Sequence, residues 1–221
     1  MVGYAFMLGH QGKKLLFMGQ DFGQSREWSE ERELDWYLLE DPRHKHLQDF
    51  VKALLHLYKK NPCMYENDHD WGGFEWLNAN DADRSIFSFV RKSKDGKNNL
   101  LFVCNFTPVA REDYRVGVPK ASTYKLVLNS DDAAFGGSGE KRPASIKAEH
   151  SECDGREYSI AYPLPGYGVA VFSYTGQVVI SHLPFSSGMR KYKHSGLPDA
   201  SYNGGRAFFG RSSGFFRFSP T

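Results

Sequence analysis

Among the carboxylates of one short stretch, Asp21, Glu27 and Asp35 are the candidates for chemistry, with Gln20 and Trp28 beside them. Carboxylates in pairs can act as nucleophile and as general acid or base. They can equally shape and solubilise a loop through its hydrogen bonds. Other chemistry-bearing residues form no pattern. Cys63, Cys104 and Cys153 are far apart and lack any C-x-x-C spacing, so neither a disulfide framework nor a cysteine metal site is indicated. The eight histidines give no metal constellation, since His44 and His46 would point to different sides of a helix and Asp68-His69-Asp70 reads as a polar connector. Each histidine is expected to be solvated. Gly136 to Gly139 lacks the Lys-Ser/Thr ending and the strand-to-helix setting of a phosphate cradle. No cofactor is implied.

The elements that position these residues fall into three segments. The first, residues 1–62, holds the uninterrupted apolar run Leu15 to Met18, which predicts a strand covered on both faces, as in parallel sheets. Asp41-Pro42 then supplies an N-cap and first-turn proline to a helix whose apolar positions Leu47, Phe50, Val51, Leu54, Leu55 and Tyr58 step by three and four. Lys59-Lys60-Asn61-Pro62 should end it, with Asn61 in the left-handed cap conformation. A doubly covered parallel strand needs neighbours on both edges, and no second unit of this kind follows. Either the strand pairs with something outside this chain or the sequence is the tail end of a longer protein, and the second is expected.

The second segment, residues 73–174, changes period. Short β-rich runs occur at Phe74 to Leu77, Ser85 to Arg91, Leu100 to Asn105, Tyr114 to Val118, Tyr124 to Asn129, Tyr158 to Tyr162 and Val169 to Tyr174. Asp95-Gly96 signals a hairpin, and Gly136-Gly137-Ser138-Gly139 a longer flexible loop. The spacing predicts an antiparallel sandwich of Greek-key type. Phe87, Phe89, Phe102 and Phe106 could offer a carbohydrate platform, but in a sandwich such residues belong to the core.

The third segment, 177–221, carries six cations and one anion and has no sustained period. It reads as a disordered tail, with an out-of-frame or read-through extension and a nucleic-acid-binding tail as the other possibilities. Since the whole chain carries a formal charge of +2, the first 176 residues hold an excess of three acids. Such a surface argues against nucleic acid and suits a neutral or cationic partner such as carbohydrate. No apolar run approaches the roughly 20 residues that cross a bilayer, and the N-terminus lacks a signal-like basic region, so a cytoplasmic protein is expected.

The run from Gly12 to Trp36, GKKLLFMGQDFGQSREWSEERELDW, closely resembles the last barrel strand and following loop of glycogen branching enzymes, the 1,4-alpha-glucan branching enzymes of the alpha-amylase superfamily. The resemblance continues through Gly73-Phe74-Glu75-Trp76, Val103 to Pro108, Asn129-Ser130-Asp131 and Phe135 to Gly139, covering about residues 3–174. Asp21 stands where that family usually has Glu, and Ser25 where it often has Trp.

The resemblance implies an α/β plus all-β architecture: the last βα unit of a (β/α)8 barrel in residues 1–62, then an antiparallel β-sandwich C-terminal domain in 73–174. It also implies transfer of an α-1,4-glucan segment to a 6-hydroxyl, forming α-1,6 branches with retention, on a nucleophilic and an acid/base carboxylate about 5 Å apart. In that family those groups lie on earlier strands of a barrel of about 250 residues. They would precede Met1, so the chain alone is expected to be inactive, and no catalytic residue is named in it. Gln20, Glu27 and Trp28 are the candidate contacts to α-glucan, because an exposed indole offers an apolar face to a pyranose ring. Packing is the competing role for Trp28. A non-catalytic glucan-binding or scaffolding β-domain is the alternative function.

Overall fold

The structure, a computed structural model, describes residues 1–176, so the expectation of a disordered tail over 177–221 lies outside the described residues. Two helices come first, α1 (Val2–Gly9) and α2 (Pro42–Lys60). Eight strands follow: β1 (Phe74–Asp81), β2 (Ile86–Lys92), β3 (Asn99–Asn105), β4 (Arg111–Val118), β5 (Thr123–Asn129), β6 (Ser145–Lys147), β7 (Tyr158–Leu164) and β8 (Val169–Tyr174). The seven β-rich runs of the sequence fall on strands, except that Ser85 stays in the turn before β2. Only β6, three residues long, carries no β-rich run.

Pairing is antiparallel throughout. One sheet runs β1-β2-β3-β8-β5-β6, and β4 with β7 forms a second. Their facing sides share a core of Leu77, Ile86, Val90, Leu101 and Phe172 against Tyr114, Val116, Ile160, Tyr162 and Leu164. The opposite face of the larger sheet is also covered. There Phe74, Phe89, Phe102 and Val171 pack on Val2, Ala5 and Leu8 of α1 and on Phe50 and Leu54 of α2. The result is three layers, and β3, in the middle, is buried along its whole length. Phe89 and Phe102 are opposite in the β2–β3 register and stack with ring centroids 5.0 Å apart. They are core, as expected, and Phe87 and Phe106 meet edge-to-face beside them.

Asp41 caps α2 by accepting the Arg43 N–H at 2.8 Å, and Pro42 occupies the first turn. Four expectations need correction. Leu15 to Met18 is not a strand but a loop, with Leu15 70% exposed. Among the described residues a lone parallel strand has nothing to pair with, so its backbone groups go to turns and solvent. Asn61 is extended (φ −117°, ψ 101°) rather than left-handed, because its side-chain amide already closes the helix by donating to the Leu57 carbonyl at 2.7 Å. The Gly136 to Gly139 loop is not loose. Asp131 accepts the Ser138 N–H at 3.0 Å, the Ser138 hydroxyl at 2.5 Å and Arg142 at 3.0 Å. The histidines are not all solvated: His10 sits among Phe6, Phe74, Trp76 and Phe89, and burial lowers its pKa.

Candidate functional site

The loop between the apolar run and α2 is held by a turn that its sequence encodes. Gly19 (φ +85°) and Gly23 (φ +71°) bracket a 3-10 turn at Gln20–Phe22 and take the left-handed conformations that a Cβ would penalise. The Gln20 Oε1 accepts the Phe17 N–H at 3.0 Å and closes the turn from within. Its main-chain carbonyl accepts the Tyr4 hydroxyl at 2.6 Å, which ties the loop to α1. Burial, and then the negative charge of Asp21, raise the Tyr4 pKa and keep that phenol a donor. Phe22 is fully buried, its carbonyl lies 2.7 Å from His44 Nδ1 on α2, and its ring is 5.2 Å from Trp36. His44 is thus a second residue expected in solvent that instead supports structure.

Beyond the turn, Gln24 acts as a cross-link. Its Oε1 accepts the Asp35 N–H at 2.8 Å and its Nε2 donates to the Arg26 carbonyl at 3.0 Å. Asp35, 4% exposed, is ion-paired with Arg26. That carboxylate is committed to holding the loop together and is shut away from solvent. Of the other two candidate acids, Glu27 is exposed and Asp21 half-buried.

The structure draws Gln20 and Trp28 together through Phe17. The Trp28 indole stands edge-on to the Phe17 ring, centroids 5.3 Å apart at 88°, and remains 46% exposed. One side of the indole is packed and the rest is open. Leu15, Phe17, Met18, Trp36 and Tyr37 are exposed in the same loop. Glu27 precedes Trp28, and its carbonyl accepts Arg32 Nη2 at 3.0 Å. Gln20 also lines a cavity of about 330 Å³ with Met1, Gly3, Tyr4 and Met7, which Glu27 and Trp28 do not reach. Tyr4 and His44, the two anchors outside the loop, carry no local sequence signal. They lie 16 and 22 residues from their partners. Among the described residues, no three His, Cys, Asp or Glu side chains are grouped to hold a metal ion, and no helix is long and apolar enough to cross a membrane.

Comparison with known proteins adds a family. Residues 76–175 match the family described as alpha amylase, C-terminal all-beta domain. The chain is 55% identical over 171 residues to the 1,4-alpha-glucan branching enzyme GlgB of Butyrivibrio fibrisolvens, a match covering 77% of this chain and 27% of that protein. It is 46% identical over 169 residues to GlgB of Halothermothrix orenii, covering 76% and 27%, and 43% identical over 173 residues to GlgB of Aquifex aeolicus, covering 78% and 28%. The chain therefore spans little more than a quarter of the length of these curated relatives.

Proposed function

Because this chain carries the C-terminal part of a 1,4-alpha-glucan branching enzyme of the alpha-amylase superfamily, we propose that it serves the transfer of an α-1,4-glucan segment to a 6-hydroxyl. In this reading residues 1–62 are the end of a (β/α)8 barrel, residues 73–174 are its β-sandwich neighbour, and Leu15 to Met18 becomes a strand only when barrel strands flank it. The exposure of Leu15, Phe17 and Met18 supports this, since a run this apolar gains most when both of its faces are covered.

The observation that carries the functional reading is the half-open indole of Trp28, braced edge-on by Phe17 beside the Gln20 turn. Loops after barrel strands lie on the face where substrate binds. There Trp28 would stack on a pyranose ring, with Gln20 and Glu27 supplying hydrogen bonds to its hydroxyls. Asp35 is given no catalytic role, because it is spent on Arg26.

The test is a chimaera in which residues 1–174 of this chain replace the matching part of the Butyrivibrio enzyme. Branch formation on amylose, followed by loss of iodine colour and by α-1,6 anomeric signals, should persist. The chain by itself should neither branch amylose nor release reducing ends. A folded chimaera without branching, or turnover by the isolated chain above a denatured control, contradicts the proposal.

A further inference from the structure

A cavity of about 570 Å³ lies along β5, β6 and the end of β8. Lys97, Lys125 and Lys147 line it, with Thr123, Ser173 and Asn98. Strand register brings the lysines together. Thr123 on β5 faces Lys147 on β6, while Lys125 faces Ser145 on one side and Ser173 on the other. Side chains alternate along a strand, so Lys125 and Lys147 leave the same face as diagonal neighbours, roughly 7 to 8 Å apart.

All three lysines are exposed, no carboxylate lines the cavity, and among the described residues none of the three is in an ion pair. Asp95, in the hairpin with Lys97, accepts the Lys97 N–H at 2.9 Å and the Ser93 hydroxyl at 2.8 Å through Oδ1, and its charge offsets part of that of Lys97, which leaves Lys125 and Lys147 as the principal cations of the groove. Three lysines line one concavity, in a body of residues with an excess of acids elsewhere. Such a site concentrates anions.

We infer that this groove binds a phosphate monoester carried on a small polar body such as a sugar. A phosphate monoester is close to a dianion at neutral pH and presents three strong acceptor oxygens, which three ammonium groups can satisfy. The hydroxyls of Thr123 and Ser173 and the Asn98 amide suit a sugar's hydroxyls, and the volume is that of a small-molecule site. Tyr174, the aromatic residue of the lining, is 5% exposed, so bases of a nucleic acid would find no stacking platform. This site is independent of the glucan reading above.

Calorimetric titration of the whole 221-residue chain with glucose 6-phosphate tests it, alongside inorganic phosphate and glucose. Saturable one-to-one binding of the ester is expected, weaker binding of phosphate and none of glucose. Combining Lys125→Gln with Lys147→Gln should weaken the ester by at least about tenfold, one charge-assisted hydrogen bond's worth. Lys52→Gln, exposed on α2, should leave it unchanged. Lys97→Gln serves as a second variant if the double substitution alters the melting curve. No saturable binding, equal affinity for phosphate and the ester, or an affinity untouched by the lysine substitutions would overturn the proposal.

Discussion

The Arg91 guanidinium meets the Asp68 carboxylate at 2.7 Å, with Arg91 wholly buried and Asp68 21% exposed. The same guanidinium donates to the carbonyls of Gly73 (3.3 Å), Gly9 (3.0 Å), His10 (2.9 Å) and Met64 (3.0 Å). One side chain on β2 therefore ties together the end of α1, the turn after α2 and the entry to β1. The planar fork of Arg satisfies all five acceptors at once, which a lysine's point charge cannot do. Replacing Arg91 by Met would strand a partly buried carboxylate and the Gly9 and Met64 carbonyls, while Gly73 keeps the Lys92 N–H and His10 keeps the Lys14 amine. A loss of ~3 to 5 kcal/mol in urea unfolding is expected, and Arg91→Lys should recover only part of it. A change below 1 kcal/mol would contradict this role.

For Trp28→Ala, stability and binding should separate. The indole is half-exposed against one ring, so unfolding should shift by less than about 1 kcal/mol. In the chimaera, productive glucan binding should weaken by ~1 to 2 kcal/mol. A large drop in melting temperature with unchanged specific activity of the folded fraction would return Trp28 to a packing role.

Thiol labelling should follow burial. Cys63 and Cys104 are fully buried, and burial pushes the Cys63 thiol up to about 12 and raises that of Cys104. Iodoacetamide at pH 8 should modify half-buried Cys153 first and reach the other two only in denaturant, as read by peptide mass. The unfolded Cys63 thiol ionises near its ordinary 9, so its contribution to stability is present below pH 9 and lost as pH rises towards 12. Rapid labelling of Cys63 in the native protein would show that the packing of helices on the sheet opens.

Lys14 has the opposite sign. Burial, ahead of the attraction of Asp68 and the repulsion of Arg91, lowers its pKa from 10.5 to about 8. Below pH 8 the amine is charged in both states, and its desolvation opposes folding in full. Between about 8 and 10.5 the unfolded chain holds more protons, so stability contributed at this site rises with pH. The difference in urea midpoint between the parent and Lys14→Met should therefore move in the parent's favour across that window. A constant difference would show that Lys14 is not desolvated.

Much of this architecture is legible because its signals are local. The Asp41-Pro42 start and the three-and-four spacing of Phe50, Val51 and Leu54 specify α2 within one segment, and all three side chains are buried. The β-rich runs around Phe89, Phe102 and Val171 form strands for the same reason, since β-branched and aromatic residues fit a pleated surface whichever neighbour they meet. In the loop, Gly19 and Gly23 announce the turn that carries Gln20.

The sequence by itself determined which segments could be strand or helix, because backbone preference and hydrophobic period act over a few residues. Only the tertiary structure decided that β8 inserts between β3 and β5, that α1 and α2 cover the sheet's second face, and that Arg91 finds Asp68. Those outcomes depend on which surfaces meet, and contacts between distant segments leave no period in the chain. The fate of Leu15 to Met18 shows the limit most directly: an apolar run encodes the capacity to be a buried strand, but a strand is a relation to neighbours, and in these residues it has none.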